Sequence, residues 1–180
     1  MLRVAVIGAG AAGGAFALRC VGAGFAVVLE DVMPEKLRRA QDDYSSLVAE
    51  SAGSLRLAST VEDAVQDADL AIDFVPDELE SKLEIFCLLD RMAPPRTVLA
   101  TPSTHLSIAD LASCTYRPER CVAIVAEASS LAEGARTDIL LRTTGSTSAD
   151  TVVLLTRFWT RLGFKPAFEL DPAEAAIAER

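Results

Sequence analysis

Short apolar segments alternate with longer amphipathic segments along the whole chain, and this alternation limits the possible folds more than any other feature. Residues 2–7, 26–30 and 70–75 have the length and composition of buried strands. Strands that alternate with helices are typical of a parallel sheet with helices on both faces. At 180 residues the chain has the size of one domain. We therefore predict a single α/β domain with a doubly wound, mostly parallel sheet of the Rossmann type.

The pattern predicts eight strands and six main helices. The strands are expected at residues 2–7, 26–30, 55–58, 70–75, 97–100, 121–125, 139–141 and 164–168. The helices are expected at residues 11–21, 34–50, 61–65, 78–91, 107–111 and 148–162. Asp171 and Pro172 then begin what resembles a short capped helix, so residues 171–180 are predicted to form a helical tail behind a domain of residues 1–170.

Charge and composition exclude several classes of function. Seventeen basic and 26 acidic residues give a net charge of -9, which disfavours nucleic acid and anionic membranes as partners. No apolar run reaches the roughly 20 residues that cross a bilayer. A single histidine excludes a His-rich metal site, and we predict no metal. Four cysteines without a C-x-x-C pair are expected to stay reduced in the cytoplasm.

Glycines at the first strand-to-helix turn form the pattern G-x-G-x-x-G, with Gly8, Gly10 and Gly13. The first glycine permits the tight turn, the second lets a pyrophosphate approach the backbone, and the third allows close packing of the helix on the strand. The amides of the intervening alanines at the helix N-terminus would bind the pyrophosphate without a lysine. The cofactor contacts predicted in this turn are therefore Gly8, Ala9, Gly10, Ala11, Ala12 and Gly13.

The second strand ends in two acids, Glu30 and Asp31, about 20 residues after the glycines. At that place an acid accepts hydrogen bonds from the hydroxyls of the adenine ribose. We favour Asp31 because it is the last position before the turn. Its carboxylate would repel a ribose 2'-phosphate, so NAD(H) is expected in preference to NADP(H), and residues 1–170 are predicted to be an NAD-binding domain.

Several segments, in this order, resemble the NAD-binding domain of the 3-hydroxyacyl-CoA dehydrogenases: VAVIGAG, VVLEDV, DADLAIDFVPDELESK, PPRTVLATPSTHLSIADLA and RPERCVAI. The similarity extends over about residues 2–171. It implies NAD as cofactor, hydride transfer on a 3-hydroxyacyl or 3-oxoacyl substrate, and a place in fatty acid metabolism. It also implies that Asp31 binds the ribose, that Asp77 and Lys82 lie near the nicotinamide and the acyl-CoA, and that Val75, Pro76 and Thr101 contact the cofactor.

This sequence differs from the family at positions that take part in the family's chemistry. The family's N-T-S-S segment, whose first serine binds the substrate oxygen, has Thr104 in place of that serine. The histidine that takes the hydroxyl proton is replaced by Val125. The glutamate that orients this histidine falls on Thr137 or Leu140, depending on where a small insertion is placed. The family's helical C-terminal domain, which completes the acyl-CoA site and the dimer, has no counterpart before Arg180.

Three interpretations follow. In the first, the protein is an NAD(H)-dependent oxidoreductase with a remodelled site, in which Thr104 donates a hydroxyl hydrogen bond and His105 or Glu127 carries the proton. In the second, the domain binds NAD(H) without turnover, as a sensor or subunit that has lost the His-Glu pair. In the third, a separate helical partner chain or a homodimer supplies the missing groups.

Four of the candidate residues also have a plain structural interpretation. His105 and Glu127 could be solvated surface residues, and Asp77 could cap the helix that begins near Glu78. Lys82 could hold a carboxylate or phosphate of a substrate, or it could simply be solvated at the start of its helix. Only the structure can place these side chains.

Overall fold

The computed structural model describes residues 1–47, 52–133 and 137–178. Its strands are β1 (Arg3–Ile7), β2 (Ala26–Glu30), β3 (Ser54–Ala58), β4 (Leu70–Asp73), β5 (Val98–Pro102), β6 (Cys121–Ile124), β7 (Asp138–Thr143) and β8 (Lys165–Leu170). Its helices are α1 (Ala11–Gly22), α2 (Pro34–Leu47), α3 (Val61–Val65), α4 (Leu79–Met92), α5 (Ile108–Ala112), α6 (Ala149–Arg161) and α7 (Pro172–Ala178).

The eight strands form one sheet in the order β3-β2-β1-β4-β5-β6-β7-β8. Neighbouring strands are parallel except β6 and β7, which pair antiparallel. Right-handed crossover helices connect parallel strands, which explains why helices cover both faces. The predicted fold class, a doubly wound and mostly parallel sheet of the Rossmann type, is confirmed.

Each face of the sheet has its own apolar core. On one face the helices α1, α2 and α6 pack through an aromatic cluster in which Phe16, Phe158 and Trp159 are fully buried. On the other face α3, α4 and α5 pack against the sheet through side chains such as Phe86 and Leu111. Burying large apolar side chains on both faces fixes the sheet, so the loops at its carboxyl edge are held on a rigid base.

The predicted elements are found, with shifts at their ends. The strand expected at 70–75 ends at Asp73, so the next residues form a loop at the sheet's carboxyl edge. Residues 48–50 of the helix expected at 34–50, Ser51 of the following loop, and residues 179–180 of the predicted tail lie outside the described residues. Two short 3-10 helices, Pro118–Arg120 and Ala128–Leu131, were not expected. No helix in the described ranges combines the length and hydrophobicity needed to cross a membrane.

Candidate cofactor and active site

The strand order reverses between β1 and β4, which are parallel neighbours at the centre of the sheet. After β1 the chain continues toward β2 and β3, whereas after β4 it continues toward β5 and β6. The loops that follow the two strands therefore diverge and leave a crevice at the carboxyl edge, the place where open α/β sheets bind ligands. The glycine turn borders this crevice on one side, and the loop after Asp73 borders it on the other.

The glycine turn has the shape that the motif predicts. Gly8 has a φ of 102°, a conformation that favours glycine, and its N–H donates to the carbonyl oxygen of Glu30 at 2.8 Å. A methyl group on Gly13 would overlap the carbonyl oxygen of Gly8. A methyl group on Gly10 would instead meet no other atom within 4 Å. The space in front of Gly10 is thus open to a ligand, while Gly13 is needed for packing.

The N-terminus of α1 is suited to an anion. Gly10 and Ala11 are exposed there, and the first turn of the helix contains no acidic residue. The first N–H groups of a helix lack partners within the helix and lie at the positive end of its dipole. Ala12 and Gly13 continue this turn, whereas the N–H of Ala9 is already used in a contact with Asp31. The turn therefore fits the pyrophosphate of a dinucleotide.

Asp31 lies beside the glycine turn, at the end of β2. Its Oδ2 accepts a hydrogen bond from the N–H of Ala9 at 2.8 Å, and its Oδ1 accepts one from the N–H of Met33 at 2.9 Å. Burial by itself raises the pKa of Asp31, but the two backbone hydrogen bonds and the Lys36 ammonium outweigh it and leave the pKa below its ordinary value. Asp31 is thus an ionised acceptor. Burial and the neighbouring Asp31 raise the pKa of Glu30, the other candidate acid.

Beneath the loop that follows β4 lies a buried ion pair. The Lys82 ammonium is 2.7 Å from Asp73 Oδ1, and both side chains are almost completely inaccessible to solvent. Burial raises the pKa of Asp73, and the Lys82 charge opposes this rise. Thr101, on the neighbouring strand β5, is also fully buried. Lys82 and Thr101 were expected to contact the cofactor; the structure places both side chains below the surface, and their contact with the cofactor stays a prediction.

The loops after β4 and β5 bring Asp77 and His105 together. His105 Nδ1 lies 3.3 Å from Asp77 Oδ2, and the imidazole is 62% exposed. Helix α4 begins after Glu78 without a side-chain cap, so Asp77 does not have the capping role considered above. Val75 is half-buried and Pro76 is exposed on the same loop. The structure thus gives the chain's single histidine a carboxylate partner at the carboxyl edge of the sheet.

The other two candidates for catalysis are also exposed. Thr104 directly precedes His105 in the loop after β5. Glu127 follows β6 and has no side-chain hydrogen bond or ion pair to another described residue. Val125 donates its N–H to the carbonyl oxygen of Leu140 at 2.9 Å, so Leu140, rather than Thr137, lies opposite Val125. The position of the family's histidine and the position facing it are therefore both apolar here.

Two residues near this site were not predicted to shape the loop that contains Thr104 and His105. Ser103 is buried, and its hydroxyl accepts hydrogen bonds from the N–H groups of His105 and Leu106, which shapes the loop. Asp171 accepts hydrogen bonds from Ser107 and from the N–H of Ala109 through Oδ2. A serine two positions before the histidine, and an acid before a proline, were the signals available in the sequence. Both residues fix the segment that carries Thr104 and His105.

Comparison with known proteins gives the family. A sequence profile described as 3-hydroxyacyl-CoA dehydrogenase, NAD binding domain, matches residues 3–125. The chain belongs to this family. Membership of this NAD-binding family confirms the expected cofactor, NAD(H). Across the described residues, no group of three or more His, Cys, Asp and Glu side chains is arranged to hold a metal ion.

Relatives among characterised proteins are dehydrogenases by name. The chain is 30% identical over 138 residues to the probable 3-hydroxybutyryl-CoA dehydrogenase of Bacillus subtilis, covering 67% of this chain and 46% of the relative. It is 34% identical over 130 residues to the 3-hydroxyadipyl-CoA dehydrogenase of Escherichia coli, covering 65% of this chain and 27% of the relative. The chain thus spans less than half the length of these 3-hydroxyacyl-CoA dehydrogenase relatives.

Solved structures extend the similarity to nearly the whole chain. A diketoreductase superposes with a TM-score of 0.80 at 26% identity, covering 94% of this chain and 64% of the diketoreductase. An NAD+-dependent dehydrogenase of a formyl-hydroxy-methylpyridine carboxylic acid superposes with a TM-score of 0.79 at 26% identity, covering 99% of this chain and 62% of that enzyme. The described strands and helices beyond residue 125 therefore also have counterparts in these two structures.

Proposed function

We propose that this protein is an NAD(H)-dependent oxidoreductase that acts on a 3-hydroxyacyl or 3-oxoacyl thioester or a related small keto substrate. The contact between His105 Nδ1 and Asp77 Oδ2 carries the proposal. Oxidation of a secondary alcohol needs a base for the hydroxyl proton as the hydride leaves, and reduction of a ketone needs the corresponding acid. Histidine is the side chain that most often performs these two tasks in enzymes.

Each residue has a distinct task in this proposal. NAD(H), held by the glycine turn and Asp31, would supply or accept the hydride. The Asp77 carboxylate, 3.3 Å from Nδ1 of His105, would favour the tautomer with its proton on Nδ1 and leave Nε2 to exchange a proton with the substrate oxygen. Thr104 donates a hydroxyl hydrogen bond to the same oxygen. Glu127 is the alternative proton carrier, but without a partner among the described residues it is the weaker candidate.

The substrate class rests on the relatives, which include enzymes named for 3-hydroxybutyryl-CoA and 3-hydroxyadipyl-CoA. A place in fatty acid metabolism and a location in the cytoplasm belong to the same proposal. A homodimer or a separate helical partner chain that contributes to the substrate site is part of this proposal as well.

The test is the oxidation of NADH with a panel of 3-oxoacyl thioesters and small ketones. Wild-type protein is compared with His105→Gln, Asp77→Asn and Thr104→Val, and Glu127→Gln serves as the matched control. We expect His105→Gln to lower kcat by about 10²-fold or more, the usual contribution of a positioned acid or base, while NADH binding stays unchanged. Asp77→Asn should lower kcat in the same direction, and Glu127→Gln should leave it unchanged.

One result would overturn the role of His105, and another would overturn the proposed activity. If His105→Gln leaves kcat intact while Glu127→Gln lowers it, Glu127 is the proton carrier. If wild-type protein binds NADH but turns over no substrate, even after mixing with a homologous helical domain, the protein is an NAD(H)-binding sensor or subunit. The apolar pair of Val125 and Leu140 is the observation that favours this second function.

A further inference from the structure

The carboxylate of Asp31 has a third partner that the motif does not predict. The ammonium of Lys36 lies 3.2 Å from Oδ2, the same oxygen that accepts the N–H of Ala9. The Lys36 side chain is 42% exposed, whereas that of Asp31 is only 7% exposed. Lys36 therefore stands between solvent and the acid that is expected to bind the adenine ribose.

The acceptor sites on Asp31 are limited. A carboxylate offers about four lone-pair sites. Three are used by Ala9, Met33 and Lys36, while the two ribose hydroxyls require two. The N–H donors of Ala9 and Met33 are fixed in the backbone, but the lysine side chain is long and half-exposed. Binding of the ribose must therefore displace the Lys36 ammonium from Oδ2.

The displaced ammonium stays close to the ribose. Lys36 belongs to the first turn of α2, five residues after Asp31, so its charge remains within the reach of one side chain. A carboxylate repels a phosphate on the ribose 2'-oxygen, and a basic side chain at this position attracts it. The acid and the base at this position thus favour opposite cofactors.

We propose that Lys36 is a specificity-determining residue of the cofactor site, which weakens NADH binding by competing for Asp31 and strengthens NADPH binding by contacting the 2'-phosphate. Asp31 makes the protein bind NADH more tightly than NADPH, and Lys36 reduces this difference in affinity. The proposal rests on the NAD(H)-binding site described above, with the ribose on Asp31, and does not depend on turnover.

The test measures the Kd of NADH and of NADPH by fluorescence titration for wild-type protein and Lys36→Gln. Lys165→Gln, at an exposed lysine of β8, is the matched control for the loss of one positive charge. We expect Lys36→Gln to bind NADH more tightly and NADPH more weakly. The Kd of NADPH divided by the Kd of NADH should rise at least about tenfold, which corresponds to the loss of one charge-assisted hydrogen bond. Lys165→Gln should leave the ratio unchanged.

Asp31→Asn separates the two effects. In this background Lys36→Gln should still weaken NADPH but should no longer tighten NADH, because the competing carboxylate is gone. An unchanged ratio in Lys36→Gln, with NADH binding intact, would overturn the role of Lys36. Wild-type protein that binds neither cofactor would overturn the cofactor site and the role of Lys36 together, whereas binding without turnover would count only against the proposed enzyme activity.

Discussion

Replacing Gly10 with alanine should weaken cofactor binding strongly without destabilising the fold. The added methyl group meets no protein atom within 4 Å, and Gly10 has a φ of -65° and a ψ of -179°, which alanine adopts without strain. The methyl group would instead occupy the space in which a pyrophosphate approaches the helix amides. Cofactor binding should therefore weaken while the stability of the protein stays nearly unchanged.

The expected loss can be worked out from the contacts. A methyl group in this space keeps a phosphate oxygen from at least one N–H at the start of α1. A hydrogen bond to a charged group contributes about 1.5 to 3 kcal/mol, and 1.4 kcal/mol corresponds to a tenfold change in Kd. We therefore expect the Kd of NADH to rise about 10- to 150-fold. The free energy of unfolding should change by no more than about 0.5 kcal/mol.

Two neighbouring glycines provide the controls. A methyl group on Gly14 lies in ordinary contact with the carbonyl oxygen of Ala9, so Gly14→Ala should keep NADH binding and stabilise α1 by about 0.5 to 1 kcal/mol. Gly13→Ala should destabilise the protein, because its methyl group overlaps the carbonyl oxygen of Gly8. NADH fluorescence and thermal denaturation measure the two quantities. A folded Gly10→Ala variant that binds NADH as tightly as wild type would refute the assignment of the pyrophosphate to this turn.

Three further predictions concern the buried polar groups. Lys82→Met should destabilise the protein by about 3 to 5 kcal/mol, because it leaves Asp73 buried and unpaired. Without the lysine, burial raises the pKa of Asp73 further above its value in the unfolded chain. Denaturation of the variant should therefore show stability increasing as the pH falls from 7 toward the ordinary pKa of an aspartate. Asp171→Asn should cost about 1 to 3 kcal/mol through the weakened bonds to Ser107 and the amides that start α5 and α7. Because these bonds outweigh burial and lower the pKa of Asp171 from 3.8, its contribution is present above about pH 4 and lost below it, so wild type and variant should converge in acid. Thr101→Val should lower the melting temperature, because the buried Thr101 hydroxyl opposes the rise that burial causes in the pKa of the Asp73 carboxyl through a side-chain hydrogen bond; an unchanged melting temperature would contradict this contact.

Local features of the sequence were enough to predict the sheet and the glycine turn. Strands such as β2 and helices such as α3 were predicted with their observed ends, because apolar periodicity and Gly or Pro at the boundaries act over a few residues. The antiparallel pairing of β6 with β7 was not predicted. Two strands joined without a long crossover helix can pair antiparallel, and residues 125–133 contain only a short 3-10 helix.

The buried position of Lys82 could have been predicted from its spacing. Lys82 lies three residues after Leu79, four before Phe86 and seven before Leu89, which puts it on the apolar face of α4. Asp73 is the buried last residue of the otherwise apolar strand β4. Two opposite charges at positions that face a core should pair, because an isolated buried charge is too costly. The sequence therefore contained the signal for this pair, whereas the resemblance to the family implied a position for Lys82 near the nicotinamide and the acyl-CoA.

The contact of Asp77 with His105 had no local signal, since 28 positions separate the two residues and only the order of the strands brings their loops together. β4 and β5 are neighbours, and β6 is the next strand, which ends just before Val125. Adjacent strands lie about 4.8 Å apart, so the loop after β5 is displaced by about one strand spacing from the end of β6. An imidazole in this loop can reach the same crevice as one at the end of β6. Under the proposed function, this family member has no histidine at the end of β6 and uses an imidazole from the neighbouring loop, which also lies beside a carboxylate partner.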